Sequence, residues 1–309
     1  MQKANEHLSF YKFFTAPVGL SALTSSVLRW SSSILFRDPG ELTHLQKLPF
    51  TQEALLDEVL RQVAILILAK DHPKGVAGHS VMQAVLRWRR EGRFTTTDEI
   101  EAALKNIFVP ILAAYHATLT ALESDWVKLY RRVRVLNGVR TCDNLALWRH
   151  YGGMHRGVAL EFACFAEDKT FELHRDVVYQ NERVGISNLM DQVKNIIGQH
   201  MLREQDKFLD LMAVKPLVFA AEQEIRFFHV AESIGSEDAK PDTWMTDVAF
   251  EHRALKSVCF GLKTTKKDRM AIVSQVKKKY PHASIHRVRF EPERYALSLE
   301  VLYEGIKPE

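Results

Sequence analysis

Apolar residues recur every three or four positions between residues 52 and 132, the spacing that places them on one face of a helix. The clearest run contains Leu55, Leu56, Val59, Leu60, Val63 and Ala64. A second helix is predicted to begin near Thr96 or Thr97, where a hydroxyl N-cap precedes two acidic residues. Pro110 should kink or divide that helix. We therefore predict a helical insertion or cap over residues 51–131.

The pattern changes from residue 133 onward, where short apolar segments alternate with helical ones. It predicts strands at residues 133–136, 158–162, 177–179, 217–221, 224–230, 255–262, 286–290 and 295–302, and helices at 142–151, 186–211 and 266–279. Before residue 50, short strands are expected, with turns at 16–19 and 38–40.

These elements do not follow a βαβ rhythm, and neither GxGxxG nor GxxxxGK(S/T) occurs, which disfavours a doubly wound nucleotide-binding fold. The expected fold class is α+β, with two packed, mainly antiparallel sheets and the helical insertion. We expect a single domain over residues 1–309.

Composition and charge indicate a globular protein. The 309 residues are 46% hydrophobic and 26% charged, which allows a large core and excludes a disordered or fibrous class. The net charge of +4 is spread along the chain and does not indicate nucleic acid. Three widely spaced cysteines without a CxxC pair indicate neither a disulfide framework nor a zinc site. Since we find no signal-peptide pattern and no apolar run of bilayer length, we expect a cytoplasmic protein without a membrane partner.

Candidate chemistry is densest at residues 148–162, WRHYGGMHRGVALEF, where a predicted helix meets a predicted strand. Trp148, His150 and Tyr151 offer aromatic faces with polar edges, which suit a planar ring such as nicotinamide or adenine. In the alternative, the glycines end a helix and Trp148 and Tyr151 belong to the core. His150 and His155 lack the i, i+4 spacing and the third ligand of a metal site, so no metal is expected.

A second candidate is AEQEIRFF, residues 221–228. On a strand, Glu222 and Glu224 project to the same face, and two neighbouring carboxylates raise each other's pKa. Such a pair can act as a general base or stabilise a developing cation. Arg226 shares that face, so an ion pair on an exposed edge strand is the alternative.

Two serines, Ser31 and Ser32, lie between apolar flanks just before the predicted turn at 38–40. Their hydroxyls can hydrogen-bond a ribose or stabilise the end of a strand. No GxSxG elbow surrounds them, which argues against a nucleophilic serine.

Taken in this order, the segments resemble a bacterial family catalogued as the domain of unknown function DUF2971. The corresponding segments are Tyr11-Lys12-Phe13-Phe14, Ser31 or Ser32 with Phe36-Arg37-Asp38-Pro39, Trp148-Arg149-His150-Tyr151 with His155-Arg156-Gly157, Glu222-Gln223-Glu224-Ile225-Arg226, and Val258-Cys259-Phe260-Gly261. The resemblance spans nearly the whole chain. Its middle and C-terminal motifs are specific, whereas the N-terminal ones are loose.

That family is similar to the ADP-ribosyltransferases, which hold NAD in a cleft between two small sheets and use a glutamate on a late strand. The resemblance implies that Glu224 stabilises the ribosyl oxocarbenium ion and that Glu222 orients the acceptor. It assigns Ser31 or Ser32 to positioning the nicotinamide ribose and the catalytic glutamate. The aromatic residues Trp148, His150 and Tyr151 are expected to wall or support the pocket.

Two positions depart from the family's pattern, because Phe14 replaces the early arginine and Arg37 replaces the asparagine before Asp38-Pro39. Either Arg29 or Arg37 then supplies the cation for the NAD pyrophosphate, or NAD binding is weakened or lost. The expected function is an NAD-dependent ADP-ribosyltransferase acting on a protein or nucleic-acid acceptor, as a toxin, effector or phage-defence component. Two alternatives are a catalytically inactive module that binds a nucleotide or protein in the same cleft, and an NAD glycohydrolase. Glu224→Gln is expected to abolish turnover and keep the fold.

Overall fold

The computed structural model describes residues 8–36, 49–76, 78–165, 167–185, 187–199, 204–231 and 244–306. The chain divides into two compact units. The first comprises residues 1–41, 130–182 and 213–309, and the second comprises residues 42–129 and 183–212.

The first unit is built on a ten-stranded, mainly antiparallel sheet. Its strands are β1 (Ser9–Phe14), β2 (Val27–Ser31), β3 (Val133–Val139), β4 (Val158–Ala163), β5 (His174–Asp176), β8 (Glu224–Val230), β9 (Met245–Ala249), β10 (Leu255–Phe260), β11 (Ser284–Phe290) and β12 (Leu297–Tyr303). Two further strands, β6 (Val178–Gln180) and β7 (Val214–Pro216), form a separate parallel pair. The unit also contains helices α1 (Ala16–Ser25), α5 (Leu145–His150) and α8 (Lys266–Lys279).

Aromatic side chains from several strands form the centre of this unit's core. The ring of Phe10 lies 5.4 Å from that of Phe162, 5.1 Å from Phe171 and 4.2 Å from Phe227. All four residues are fully or almost fully buried. Such rings account for much of a core's buried apolar area. Helix α8 connects the parallel strands β10 and β11 and buries Ile272 and Val276 against the same core.

The second unit is helical in the described residues. It contains α2 (Gln52–Leu68), α3 (Ser80–Glu91), most of α4 (Thr97–Arg132), α6 (Leu189–Ile196) and α7 (Glu204–Leu211). The predicted apolar stripe of α2 is buried at Leu55, Val59 and Val63. Pro110 does not divide α4, whose Phe108 and Leu112 are buried on either side of it.

Helix α4 is long and apolar enough to cross a membrane, by length and composition alone. An 18-residue window within it has a mean hydropathy of 1.3, whereas our sequence analysis recognised no apolar run of that length. A single helix of this kind is weak support for a membrane span, since the core helix of a soluble protein passes the same test.

The prediction of a mixed fold with a mainly antiparallel sheet is confirmed, but the prediction of two packed sheets was wrong. Strand β3 joins the strands on either side of it, so that ten strands are connected in one sheet. The turn predicted at residues 16–19 is instead the start of α1, because proline is tolerated in the first turn of a helix. The turn predicted at 38–40 lies outside the described residues.

Two other predicted elements were wrong. Residues 217–221 do not form a strand but most of a 3-10 helix, Leu217–Glu222, which follows directly after β7. The single long helix predicted at 186–211 is two helices, α6 and α7. Gly198 has a φ of +76° just beyond α6, a left-handed conformation that ends a helix and that glycine adopts without a steric penalty.

Candidate functional site

The main sheet opens on one side of β3. Along its other edge, β3 pairs with β8 over its whole length, from Val133 to Val139. On the open side it pairs with β1 only through Tyr11 and Val139, and with β2 only through Ser31 and Val135. Asn137 lies between these two contact points. Strands β1 and β2 therefore diverge around Asn137 and leave a cleft in the sheet.

Two adjoining cavities occupy this cleft. The larger, of about 430 Å³, is lined by Lys12, Arg29, Ser31, Leu35, Phe36, Val135, Asn137, Tyr151, Lys215 and Phe219. The smaller, of about 110 Å³, is lined by Tyr11, Lys12, Phe13, Asn137, Val139, Tyr151, Glu222 and Glu224. Lys12, Asn137 and Tyr151 line both cavities. The larger volume lies within the range of roughly 300–1,000 Å³ that small-molecule sites occupy.

A buried array of charges closes one side of the smaller cavity. Lys215 Nζ lies 2.6 Å from Glu222 Oε2 and 3.0 Å from Glu224 Oε2. Arg226 Nε donates to Glu224 Oε1 at 2.9 Å, and the hydroxyl of Tyr151 donates to Glu222 Oε1 at 3.2 Å. The array therefore alternates acidic and basic groups and holds both carboxylates beside the cavity.

The array changes the expected ionisation of Glu224. Burial alone raises the pKa of this carboxyl, but the charges and hydrogen bonds of Arg226 and Lys215 outweigh burial and hold the pKa below its usual value. The prediction that two neighbouring carboxylates raise this pKa was therefore wrong, because two cations lie beside them. Glu224 is a carboxylate at neutral pH.

Glu222 and Glu224 come together by a route that differs from the predicted single strand. Glu222 is the last residue of the 3-10 helix, Gln223 has a φ of +47°, and Glu224 begins β8. The predicted ion-pair alternative is present too, since Arg226 binds Glu224. It lies in the interior of the unit and not on an exposed edge, because Arg226 and Glu224 are 0% and 4% exposed.

The strand pair β6–β7 positions Lys215. Tyr179 of β6 pairs with Lys215 of β7, and the hydroxyl of Tyr179 accepts a hydrogen bond from the backbone N–H of Glu224 at 2.7 Å. Sequence analysis missed Lys215. The signal that could have identified it is a lone lysine in a run of apolar residues from Leu211 to Phe219. A charged residue in such a run is rarely buried unless it is paired.

Lys12 of β1 is the second cation that sequence analysis did not single out, although it too is a lone lysine between apolar residues. Its Nζ donates to the main-chain carbonyl of Asn137 at 2.7 Å. Burial lowers the pKa of Lys12 to about 8, against the opposing attraction of Glu224. Lys12 thus places a weakly basic amine where the two cavities meet.

Of the serine and arginine candidates, Ser31 and Arg29 lie at the larger cavity and Ser32 does not. Ser31 lines the larger cavity, whereas Ser32 is fully buried and its hydroxyl accepts a hydrogen bond from the backbone N–H of Ile34 at 3.4 Å. Arg29 also lines the larger cavity, and its exposed guanidinium forms two hydrogen bonds with Asp247. Arg37 lies outside the described residues.

The aromatic candidates also separate. Trp148 is fully buried, donates its indole N–H to the carbonyl of Cys142 at 2.6 Å and packs edge-on against Phe13. His150 is exposed and does not line either cavity. Tyr151 is the member of this motif that reaches the cleft. Burial, opposed by Lys215 and reinforced by the two glutamates, raises its pKa to about 12, so Tyr151 is protonated and can donate.

The glycines of this motif allow close backbone packing. A Cβ atom at Gly157 would overlap the carbonyl oxygen of Phe14, and one at Gly152 would press on the Trp148 side chain. Gly153 has a φ of +56° and lies within the turn between α5 and β4. The motif therefore joins α5 to β4 and supports β1. This agrees with the alternative interpretation of the sequence, in which the glycines end a helix and Trp148 belongs to the core.

In the parts of the chain that the structure describes, no three His, Cys, Asp or Glu side chains are grouped so that they could hold a metal ion. Cys142, Cys164 and Cys259 are all buried free thiols.

Fold and site together define a mixed α/β protein whose mainly antiparallel sheet opens into a cleft beside a largely buried Glu–Lys–Glu array. The model of a family described as "Protein of unknown function (DUF2971)" matches residues 147–227. The matched segment contains the 148–162 motif, Lys215 and both glutamates. No curated protein and no solved structure matches the chain.

Proposed function

We propose that this protein binds NAD in the cleft at β3 and transfers its ADP-ribose group to an acceptor. The observation that carries the proposal is the pair of carboxyl groups, a partly buried Glu222 and a buried, ionised Glu224, that share Lys215 and line a cavity adjoining a larger one. Cleavage of NAD builds positive charge on the ribose as neutral nicotinamide leaves. A preorganised carboxylate in a site with little water stabilises such a charge.

The larger cavity suits the rest of the dinucleotide. Phe36, Phe219 and Tyr151 contribute aromatic faces on which a planar base can lie. Lys12 and Arg29 contribute positive charge for the two phosphates. The hydroxyl of Ser31 lies in the same lining and can bond a ribose.

In the proposed reaction, the bond between ribose C1′ and the nicotinamide ring nitrogen breaks. Its electron pair goes to that nitrogen, which loses its positive charge. The acceptor's nucleophilic atom then forms a bond to C1′ and gives up a proton to a carboxylate or to water. Glu224 is assigned to stabilising the cationic ribose. Glu222 is assigned to orienting the acceptor, because its Tyr151 contact places it nearer the open part of the cleft.

The resemblance to the ADP-ribosyltransferases supports this proposal, and the position of Lys12 adds to it. That family's early arginine corresponds to Phe14, which packs against the main core. Lys12 lies on the same strand and offers a cation in the cleft. The chain therefore retains a positive charge on β1.

One observation favours the second candidate, a module that binds NAD or another nucleotide without cleaving it. Both oxygens of Glu224 already accept hydrogen bonds, Oε1 from Arg226 and Oε2 from Lys215. A carboxylate held in this way has less freedom to follow the charge that develops on a substrate.

NAD labelled in its adenosine phosphate distinguishes these functions. A transferase leaves the label on a macromolecule when lysate is present as the acceptor source. A glycohydrolase releases labelled ADP-ribose instead, and a binding module leaves NAD intact while showing heat of binding in calorimetry. Glu293→Gln, which alters an exposed residue outside both cavities, is the matched control. Intact NAD without any heat of binding would contradict all three.

A further inference from the structure

Lys12 and Asn137 meet at the point where the two cavities join. Lys12 Nζ donates to the main-chain oxygen of Asn137 at 2.7 Å, and both residues line both cavities. Asn137 lies opposite Arg226 in the β3–β8 pairing, at the position where the open side of β3 has neither β1 nor β2 beside it. A ligand that occupies either cavity therefore meets this pair.

The side-chain oxygen of Asn137 is buried and has no hydrogen-bond partner among the described residues. Buried polar atoms without a partner are uncommon in native proteins, and a ligand group is one way to satisfy them. Because this atom is a carbonyl-type acceptor, its missing partner is an O–H or N–H donor.

Lys12 complements this acceptor, because its ammonium group is a hydrogen-bond donor. The nearby carboxylates bind other groups, since Glu224 pairs with Arg226 and Lys215. Within the described chain, the Lys12 ammonium has a neutral carbonyl and no carboxylate as its hydrogen-bond acceptor. An ammonium group has three donors, so it can also bind an anionic oxygen in the cleft.

We propose that Lys12 and Asn137 form one recognition point for a phosphorylated sugar. In this arrangement a phosphate oxygen accepts from Lys12 Nζ, and a neighbouring sugar hydroxyl donates to Asn137 Oδ1. The inference rests on the proposed function in that it assigns this point to a ribose-phosphate portion of NAD. It holds equally for ADP-ribose, which lacks nicotinamide.

Above pH 8, binding of the ligand is coupled to uptake of a proton by the protein. The reason is that the pKa of Lys12 is about 8 and an adjacent phosphate favours the charged amine. The other titratable or charged groups that line the two cavities are Tyr11, Arg29, Tyr151, Lys215, Glu222 and Glu224. Two of these, Tyr11 and Tyr151, have pKa values raised by burial, so they stay neutral at pH 8.5. Proton uptake at that pH is thus assigned to Lys12.

Calorimetric titration of the full chain with ADP-ribose and with inorganic pyrophosphate tests the pair. Lys12→Met should weaken the binding of both ligands by roughly tenfold to a hundredfold, because each loses a charge-assisted hydrogen bond. Asn137→Leu should weaken ADP-ribose binding by about tenfold and leave pyrophosphate binding unchanged, because pyrophosphate has no sugar hydroxyl. At pH 8.5 the wild type should take up a proton on binding ADP-ribose, and Lys12→Met should not.

Asn137→Asp guards against a folding defect, since it keeps the side chain's size and places a negative charge next to the phosphate that Lys12 would hold. It should weaken the binding of both ligands while retaining the wild-type melting temperature. ADP-ribose binding of wild-type strength by both Lys12→Met and Asn137→Leu would overturn the inference. If those variants release nicotinamide from NAD with the wild-type KM, the inference fails and the transferase proposal stands. If ADP-ribose binds as predicted but the wild type releases no nicotinamide, the transferase proposal fails and the recognition point stands.

Discussion

Lys215 Nζ lies 3.0 Å from Glu224 Oε2, and both residues are almost completely buried. The same nitrogen contacts Glu222, so one ammonium group neutralises part of the charge on both carboxylates. Two adjacent carboxylates without such a cation would not both remain ionised in a buried site. Lys215 therefore helps to keep Glu224 ionised beside the smaller cavity, with Glu222 held next to it.

Replacing Lys215 by methionine should raise the pKa of Glu224, because the side chain keeps its length and loses its charge. Carboxyl carbon shifts from an NMR titration would report this directly, independently of any activity. Lys215→Arg is the control and should keep the pKa of Glu224 near that of the wild type. A titration curve for Glu224 that is unchanged in Lys215→Met would show that the ammonium has no such role.

The two glutamates should differ in their effect on stability. Glu224→Gln leaves the fully buried Arg226 beside a neutral amide, and removing one partner of a buried ion pair costs about 3–5 kcal/mol. Glu222→Gln removes a more exposed charge and leaves the Lys215–Glu224 pair in place, so we expect a cost of about 1–2 kcal/mol.

Urea denaturation at pH 7 measures both free energies of unfolding. The sequence alone predicted that Glu224→Gln keeps the fold, whereas the buried ion pair predicts that this variant loses stability. Glu222→Gln is therefore the better variant for measuring the effect of a lost carboxylate on catalysis. Equal stability of the two variants would contradict this account of the array.

Lys12 should make the protein more stable as the pH rises from 8 to 10.5. Its pKa is about 8 in the folded protein, against 10.5 for an unperturbed lysine, so the unfolded chain binds more protons in that window. Stability rises with pH wherever the unfolded state binds more protons. This group can contribute at most about 3 kcal/mol across the window. Denaturation curves at pH 7, 8.5 and 9.5 provide the measurement.

Lys12→Met should remove that rise and should be more stable than the wild type at pH 7, where the wild type carries a charge in a partly buried position. Lys278→Met, which alters an exposed lysine on α8, should keep the wild-type dependence on pH. If Lys12→Met is less stable than the wild type at pH 7, the lysine stabilises the fold and the assigned cost of its burial is wrong.

Gly157→Ala should be severely destabilising. Its methyl group would overlap the Phe14 carbonyl oxygen, so β1 and the turn before β4 would have to separate. Overpacking of this kind lowers the free energy of unfolding by roughly 1–3 kcal/mol. We expect the upper end of that range here, because the opposing atom belongs to the backbone and cannot move aside as a side chain can. Gly153→Ala is the matched control, since its nearest neighbour lies at 3.4 Å and only its positive φ is unfavourable, at about 1 kcal/mol. Thermal melting of the two variants should rank them in that order.

Sequence periodicity predicted α8 with the observed bounds and located β4, β8 and β11 within two residues, because each of these has a regular apolar pattern. It failed at residues 217–221, where an apolar run without a sheet partner forms a 3-10 helix. Apolar character shows that a segment can be buried, but the pairing partner that makes a strand lies elsewhere in the chain.

For the site, the sequence pointed to Glu222, Glu224, Tyr151 and Ser31, which line the two cavities. It did not point to Lys215 or Asn137. Lys215 is placed by the β6–β7 pair, and Asn137 lies in the gap between the contacts of β1 and β2 with β3. The strands β1 and β2 are about a hundred residues or more from β3 in the chain, so the sequence alone does not show that they meet. Trp148 was assigned to the pocket because of its chemistry, but the structure buries it beneath the turn.

The central claim is that the carboxylate pair in the cleft cleaves NAD, and the most direct test is the initial rate of nicotinamide release. The wild type, Glu222→Gln and the exposed control Glu293→Gln should be compared at equal concentrations of folded protein. With cell lysate present as the acceptor source, we predict equal release by the wild type and Glu293→Gln, and a rate lower by a factor of roughly 10² for Glu222→Gln, because Glu222 orients the acceptor that attacks the ribose. No release by the wild type, or release by Glu222→Gln at the wild-type rate, would contradict the claim.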